Sequence, residues 1–538
     1  MPRITSRIDP NSEAFKTQRA EMLARVAELR EVEAKVRNTE AQAREKFHKR
    51  GQLLPRERLM LLLDRGSPFL ELSTLCGYGY HDDTDGSLAG GNSIAGIGYV
   101  SGVRCMVFVN NSAIKGGTAS PWGVQKALRG QQIALENKLP LLSLVESGGA
   151  NLMYQQEIFI PGGETFYNQA RLSAAGIPQV TVVHGSSTAG GAYLPGLSDY
   201  VVMVKKKAKV FLAGPPLLKA ATGEVATDED LGGAEMHATV AGTADYLAED
   251  DADAIRLARE VMANLGWNAK LSPEERAPYA EPLYSPDELC GAVPADYRKP
   301  YDCREVIARI ADGSEFTGFK DEYDAHTVCG RASIFGMPIG IIGNNGPISP
   351  KGATKAAQFI QLCCQTDTPI LYLQNTTGYL VGTQPEQGGI VKHGSKMIQA
   401  VANATVPQLT VLVGGSFGAG NYGMCGRPFH PRFIFAWPNA RTAVMGGEQA
   451  AKVMSIVFAE KLARRGETVD EEAIRAFCQP IVEQFDKESH PFNASARLFD
   501  DGLIDPRDTR RVLGFALSVC REAKRREVHP NSFGVARL

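Results

Sequence analysis

At 538 residues the chain is too long for one ordinary core and suggests two to four domains. With 43% hydrophobic and 22% charged residues it reads as a globular protein able to bury a large core, and 58 basic against 60 acidic residues leave no basic field for nucleic acid. No apolar run reaches the roughly 18 residues of a membrane span, and Met1-Pro2-Arg3-Ile4-Thr5 lacks the apolar core of a secretory signal. Neither nucleic acid nor a membrane is expected as a partner. The ten cysteines show no Cys-x-x-Cys spacing and the nine histidines no His-x-x-x-His pairing. Buried free thiols in a cytoplasmic protein are therefore expected, and a metal site is not.

From Ser12 to about Arg50, apolar positions Met22, Leu23, Val26, Leu29 and Val32 recur at helical spacing in a charged sequence. They predict a helical arm over residues 1–50, either solvated or laid against a neighbouring subunit. Residues 51–268 read as a first α/β domain. Arg56–Asp64 is an amphipathic helix, Phe69–Leu72 opens a sheet, and Gly98–Val100 and Cys105–Val109 are strands joined at Ser101-Gly102. Asn110–Thr118 leads into a helix near Val124–Leu135. The apolar run Leu139–Val145 suits a strand covered on both faces and stops at Glu146-Ser147-Gly148-Gly149-Ala150. A helix at Phe166–Ala175 precedes the strand Val180–Val183, and further helices are expected from Pro215 and over Asp245–Ala263. Residues 269–300 hold six prolines from Pro273 to Pro300 and read as a linker. A second domain, 301–538, closes with a helix through Lys524.

The second domain repeats the first. Gly185-Ser186-Ser187-Thr188-Ala189-Gly190-Gly191-Ala192-Tyr193 returns 229 residues later as Gly414-Gly415-Ser416-Phe417-Gly418-Ala419-Gly420-Asn421-Tyr422, each after an apolar strand. Thr368–Leu373 echoes the Leu139 strand, Gly336–Asn345 echoes Gly102–Asn111, and Lys351-Gly352 echoes Lys115-Gly116. Duplication of one α/β unit is the reading. A strand handing over to a helix through small residues leaves helix N–H groups unpaired and facing outward. In each half two junctions could converge, Gly148-Gly149 with Gly190-Gly191 and Thr377-Gly378 with Gly418-Ala419-Gly420. Two main-chain donors on one oxygen stabilise an enolate or tetrahedral oxyanion. Glycines that merely allow close packing are the alternative for one such turn, and two turns at matching places argue against it. Gly414–Gly418 also matches Gly-x-Ser-x-Gly, which would make Ser416 a nucleophile, but its copy at Ser187 lacks the flanking glycines and no His partner declares itself. The junction carboxylate Glu146 aligns with Asn375. Lys115 and Arg129 are basic candidates for phosphate contacts near the first site.

Arg56-Glu57-Arg58-Leu59, Lys115-Gly116-Gly117-Thr118, Ser147–Ala150, Phe166–Ala170, Thr188–Tyr193, Lys219–Glu224, Met445–Gln449 and Gly502–Pro506 together resemble the carboxyltransferase (β) subunits of biotin-dependent acyl-CoA carboxylases, in the branch that contains methylcrotonyl-CoA carboxylase. The resemblance spans nearly the whole chain and implies two tandem crotonase-like domains. Neither the biotin-carrier motif Ala-Met-Lys-Met nor an ATP-grasp-like segment is found. Biotin, and the step that uses ATP and bicarbonate, are therefore expected on a biotin carboxylase and biotin-carrier α subunit. The resemblance further implies that carboxybiotin releases CO2 with its ureido oxygen held around Gly378, Gly418, Ala419 and Gly420. A coenzyme A thioester enolate would be held around Gly149, Gly190 and Gly191, with Lys115, Gly116, Gly117, Ser147, Gly148 and Tyr193 lining the substrate side. It implies a β6 core in an α6β6 assembly, with active sites between two β subunits.

One segment departs from the methylcrotonyl pattern. Pro161-Gly162-Gly163-Glu164-Thr165-Phe166 places Gly162 where those subunits carry an aromatic ring, which vacates space beside the acyl pocket. Met153, in Asn151-Leu152-Met153-Tyr154, suits a flexible apolar chain. A longer β-methyl-branched enoyl-CoA such as geranyl-CoA fits best, with methylcrotonyl-CoA the alternative and a looser loop at Gly162-Gly163 the plain explanation. A sodium-pumping type of decarboxylase subunit and a non-catalytic scaffold are rival readings.

Overall fold

A computed structural model of the chain describes residues 2–464 and 471–536. Contacts divide the chain into two units. The first-half unit holds Glu31–Glu274 and Ala496–Leu498 with the residues from Ser518 onward; the second-half unit holds Glu275–Ser495 and Phe499–Leu517 with the residues up to Arg30. The N-terminal arm is one helix, α1 (Glu13–Gln42), followed by a short helix Arg44–Lys49. Met22, Val26, Leu29 and Val32 are buried within this chain, so one face of the arm packs on the chain itself while the charged face is exposed. Within 269–300, residues 275–281 are exposed and without regular structure, as a linker would be, whereas Leu289, Cys290, Ala292 and Val293 are buried.

In the first-half unit, β1 (Leu70–Leu72), β2 (Ser93–Val100) and β3 (Val103–Asn110) are antiparallel. Helix α2 (Pro121–Glu136) crosses to β4 (Leu141–Ser147), and α3 (Gln155–Ala174) crosses to β5 (Gln179–Thr188). The sheet ends with β6 (Tyr200–Val204), β7 (Lys209–Phe211) and β8 (Tyr246–Ala248), in the order β1-β2-β3-β4-β5-β6-β8 with β7 on β5. From β3 onward the strands are parallel, and this is why Leu141–Val145 and Gln179–Val183 are buried on both faces. The helix expected over Asp245–Ala263 starts later, as α4 (Asp251–Asn264), because Asp250 caps it through the N–H of Asp253. Residues before the cap are free to join the sheet as β8. Val107, Leu142, Val180 and Val202 pack with Ile255, Ala258 and Val261 of α4 in one core.

The second-half unit repeats the plan with β9 (Thr317–Gly318), β10 (Thr327–Ile334), β11 (Met337–Asn344), α5 (Pro350–Gln365), β12 (Ile370–Thr376), α6 (Ile390–Ala402) and β13 (Gln408–Phe417). Then follow α7 (Gly418–Gly423), β14 (Phe433–Ala436), β15 (Arg441–Ala443), α8 (Gly447–Arg464), α9 (Glu471–Glu488) and α10 (Thr509–Arg525). Strand order is β14-β13-β12-β11-β10-β9 with β15 on β13. Strands β4 and β5 match β12 and β13 at the spacing seen in the sequence, and α2 matches α5, each capped by a serine, Ser120 or Ser349. The hairpin β2–β3 is offset further, because residues 111–120 connect β3 to α2 whereas only 345–349 connect β11 to α5. Lys351-Gly352 therefore sits in the first turn of α5, opposite Trp122-Gly123, and is not the counterpart of Lys115-Gly116. Among the described residues, no helix is long and apolar enough to cross a membrane.

Both hairpins close through two left-handed residues, Ser101-Gly102 and Phe335-Gly336, as a two-residue turn between twisted strands requires. Their surroundings differ. A methyl group at Gly102 would meet nothing within 4 Å, whereas one at Gly336 would overlap the Ala277 carbonyl oxygen. Gly102→Ala should cost about 1 kcal/mol and Gly336→Ala at least ~2 kcal/mol, read from denaturant unfolding midpoints. Equal losses would contradict the close approach.

Candidate active site

In each half the two expected junctions meet. β5 ends at Thr188 and turns at once into a 3₁₀ turn, Ala189–Ala192, with Ala189 left-handed at φ +54°. β13 ends at Phe417 and turns into α7, with Gly418 at φ +53°. Across from them, Gly149 and Gly378 follow the ends of β4 and β12 at φ +90° and +120°. A Cβ at Gly149 would lie 3.6 Å from the Thr188 carbonyl oxygen, and one at Gly378 would lie 3.6 Å from that of Phe417. At Gly420 a Cβ would come within 2.8 Å of the Gly378 Cα, so a larger residue there would push the junctions apart.

The donors are not all open. Gly149 N–H donates to Ser147 Oγ and Gly378 N–H to Thr376 Oγ1, both at 3.2 Å. The N–H groups of Gly190 and Ala419 stand at the leading edge of their turns, where the helical ladder provides no acceptor. Both residues are exposed, and among the described residues neither N–H has a protein acceptor. Gly191 is half-buried, and its carbonyl accepts from Ser187 Oγ at 2.9 Å. The outward-facing donors are thus those of the turns, with Gly149 and Gly378 beside them on hydroxyls that a stronger acceptor could displace.

The loop Lys115–Gly117 packs against the end of β4. Gly148 N–H donates to the Gly116 carbonyl at 3.2 Å, Ser147 Oγ donates to the Gly117 carbonyl at 2.8 Å, and a Cβ on Gly117 would overlap the Glu146 carbonyl oxygen. Tyr193 is exposed and meets the Phe166 ring edge-on at 5.8 Å. Gly162 and Gly163 lie inside α3, not in a loose loop. Only Ile158 comes within 4 Å of a Cβ at Gly162 and nothing does at Gly163. Gly162 is one helical turn before Phe166 and shares its face. Arg129 is buried and donates to Gln132 Oε1 at 3.0 Å, which removes it as a phosphate contact. Ser416 is buried too, donating to Gln374 Oε1 at 2.5 Å and accepting from Asn421 Nδ2 at 2.7 Å, so it is no exposed nucleophile. Beside the second-half junction opens a cleft of about 920 Å³, lined by Thr377, Phe417, Tyr297, Arg441, Gly446 and Gly447.

Beneath the first-half junction lies a buried ionic chain that no local pattern announces. Arg58 donates to Glu146 Oε2 at 2.6 Å and to Asp251 Oδ2 at 3.0 Å. Gln52 and Ser112 also donate to Glu146, at 3.0 and 2.9 Å. Asp251 Oδ1 accepts from His184 Nδ1 at 2.7 Å. Burial, and then the Arg58 charge, push the His184 imidazole below its ordinary range, so it is neutral and donates through Nδ1. Burial alone would raise Asp251, but the His184 hydrogen bond, Arg58 and the Leu53 N–H bring it down to about 2. At the matching site in the second half, Asn375 Oδ1 simply accepts from Gly415 N–H at 2.9 Å. Arg58→Met should destabilise the protein by about 3 kcal/mol, since it strands the buried Asp251 and the half-buried Glu146, and Glu146→Gln by less. With its folded pKa depressed, Asp251 stabilises above its unfolded value, and that contribution is lost as pH falls from about 4 through about 2. Urea unfolding across this range checks both, and a wild-type-like Arg58→Met would contradict the network.

The carboxyl transferase domain model matches residues 46–535. The probable biotin-dependent acyl-coenzyme A carboxylase beta2 subunit of Mycobacterium tuberculosis is 51% identical over 540 residues, covering 99% of this chain and 100% of that one. The probable mitochondrial methylcrotonoyl-CoA carboxylase beta chain of Drosophila melanogaster is 46% identical over 552 residues, covering 99% and 95%. Among solved structures, the beta subunit of P. aeruginosa geranyl-CoA carboxylase matches with a TM-score of 0.94 at 61% identity, over 100% of both chains. The two sheets, each an antiparallel hairpin continued by parallel strands, are the duplicated crotonase-like fold of that family. This chain belongs to the carboxyl transferase domain family and is a carboxyltransferase (β) subunit of the biotin-dependent acyl-CoA carboxylases.

Proposed function

We propose that the chain carboxylates the γ carbon of a β-methyl-branched α,β-unsaturated acyl-CoA, geranyl-CoA in preference to methylcrotonyl-CoA. The observation that carries this is Gly162 in α3, with open space above it one turn from the Phe166–Tyr193 contact. A longer acyl chain can lie where an aromatic ring would stand. In such a thioester the γ hydrogens are acidified by conjugation to the carbonyl, and the negative charge of the enolate collects on the thioester oxygen.

The first-half turn suits that oxygen. Gly190 N–H is open and exposed, Gly149 and Gly191 flank it, and Gly148 and Ser147 hold the strand end beside it. Preorganised main-chain donors of this kind need no reorganisation as charge develops, and removing one typically costs 10²–10³-fold in rate. The second-half turn, with Ala419 N–H open between Gly418 and Gly420, suits the ureido oxygen of biotin. Its neighbouring cleft lies in the size range of small-ligand sites. Carboxylated biotin, when bound, supplies both CO2 and the base, and no side chain at either turn needs to serve as one. Its carrier is a biotin carboxylase and biotin-carrier α subunit that uses ATP and bicarbonate. Exposed Leu152, Met153, Phe159 and Ile160 support a face that a second β subunit covers, in line with a β6 core of α6β6 and sites completed between β subunits. The ten free cysteines support a cytoplasmic location.

Purified α and β subunits with ATP, bicarbonate and biotin should give a higher kcat/KM with geranyl-CoA than with methylcrotonyl-CoA. Equal or greater turnover of the shorter thioester would reject the substrate choice. Gly162→Phe should lower geranyl-CoA turnover by about 10-fold or more while sparing methylcrotonyl-CoA, in keeping with the worth of a few methylenes in an apolar pocket. A parallel fall for both substrates would place Gly162 away from the acyl chain.

A further inference from the structure

Asp82, Lys115 and Tyr154 stand together beside the first-half turn, on features that the second half does not repeat. Asp82 lies in the β1–β2 connection, residues 73–92, which is much longer than the β9–β10 connection, 319–326. Lys115 is on the stretch that β11–α5 lacks, and the position matching Tyr154 holds Thr383. The Tyr154 hydroxyl donates to Asp82 Oδ1 at 2.7 Å, and Lys115 Nζ is 3.6 Å from Asp82 Oδ2. His81 packs edge-on against the Tyr154 ring at 4.5 Å, and its Nε2 is hydrogen-bonded to Glu157, in the first turn of α3, at 3.2 Å.

Each partner of Asp82 leads directly to the strand end. Next to Lys115, the carbonyls of Gly116 and Gly117 accept from Gly148 N–H and Ser147 Oγ, and Ala119 N–H donates to the Gly149 carbonyl at 2.8 Å. Tyr154 closes the turn Leu152–Tyr154, whose Asn151 N–H donates to the Ala119 carbonyl at 3.1 Å, and α3 with Gly162 starts at the next residue. We infer that Asp82 is a positioning residue for acyl-CoA, joining the Lys115–Gly117 loop to the start of α3 so that both walls beside Gly148-Gly149 keep one spacing. The inference rests on the acyl-CoA reading of the first-half turn. The Tyr154 hydroxyl first, and the Lys115 charge as well, hold the Asp82 carboxyl below its ordinary range, so it is anionic at neutral pH. An exposed ion pair adds little to stability, whereas a small misplacement of binding groups is costly to a bound reactant. The loss of Asp82 should therefore register in substrate use and not in folding.

The test is steady-state kinetics of the complete α–β enzyme with geranyl-CoA. Asp82→Ala should raise the acyl-CoA KM about 5-fold or more with kcat within about 2-fold, leave the KM values for ATP and bicarbonate unchanged, and shift Tm by less than about 1 °C. Asp82→Glu should lose much less than Asp82→Ala, and Asp82→Ala combined with Tyr154→Phe should be no worse than Asp82→Ala alone, since both remove one linkage. An unchanged acyl-CoA KM in Asp82→Ala, additive losses in the double variant, or a lowered Tm with loss for every substrate would overturn the inference. A wild-type enzyme that carboxylates neither thioester would defeat the acyl-CoA reading itself, and this inference with it.

Discussion

The proposed chemistry depends on a strand that stops and a helical turn that starts at the next residue. At Thr188 and again at Phe417 the chain leaves the sheet through a left-handed residue, Ala189 or Gly418, and enters a turn without an intervening loop. The leading N–H groups have then left the ladder of the strand and not yet joined that of the helix. Gly190 and Ala419 are exposed, and the adjoining strand end, at Gly149 or Gly378, has a positive φ and lies beside the carbonyl of Thr188 or Phe417. Glycine at Gly149 and Gly378 follows from their positive φ, and at Gly420 from the close Gly378 main chain, whereas a Cβ at Gly190 would meet nothing within 4 Å.

Around this shared frame the halves have diverged. In the second half the strand end is held by a neutral contact, Asn375 to Gly415, and a wide cleft opens beside it. In the first half the same place carries Glu146, whose charge is met by Arg58 and passed on to Asp251 and His184. A carboxylate close to the proposed oxyanion site would oppose it; tying both its oxygens to Arg58, Ser112 and Gln52 offsets that charge locally. The extra loop at Lys115 and the long β1–β2 connection are also confined to this half. The proposed division of labour, a thioester on the first half and biotin on the second, gives these first-half elaborations a role beside the thioester.

Much of the fold was legible because duplication wrote it twice. The parallel strands announced themselves as apolar runs, and the glycine turns matched at one constant spacing. The errors came where local composition and tertiary packing disagree. Pro161-Gly162-Gly163 breaks helix propensity, yet α3 runs through it, with Ile158 on one side and Leu172 on the other buried to hold it. The prolines of 269–300 suggested a linker, but Leu289–Val293 is buried. Lys351-Gly352 looked like an echo of Lys115-Gly116 because a shortened connection brought a similar dipeptide near the expected register. The chain from Arg58 through Asp251 to His184 links residues far apart in sequence, which only the folded sheet brings together, and Asp82 with Tyr154 was hidden for the same reason.

The most direct measurement is a structure of the β oligomer with an enoyl-CoA and biotin bound. The account predicts the thioester oxygen about 2.7–3.1 Å from the Gly190 N–H, with Gly149 or Gly191 as second donor, and the ureido oxygen at a similar distance from the Ala419 N–H. Either oxygen found instead on a charged side chain, or beyond hydrogen-bonding reach of these amides, would contradict it.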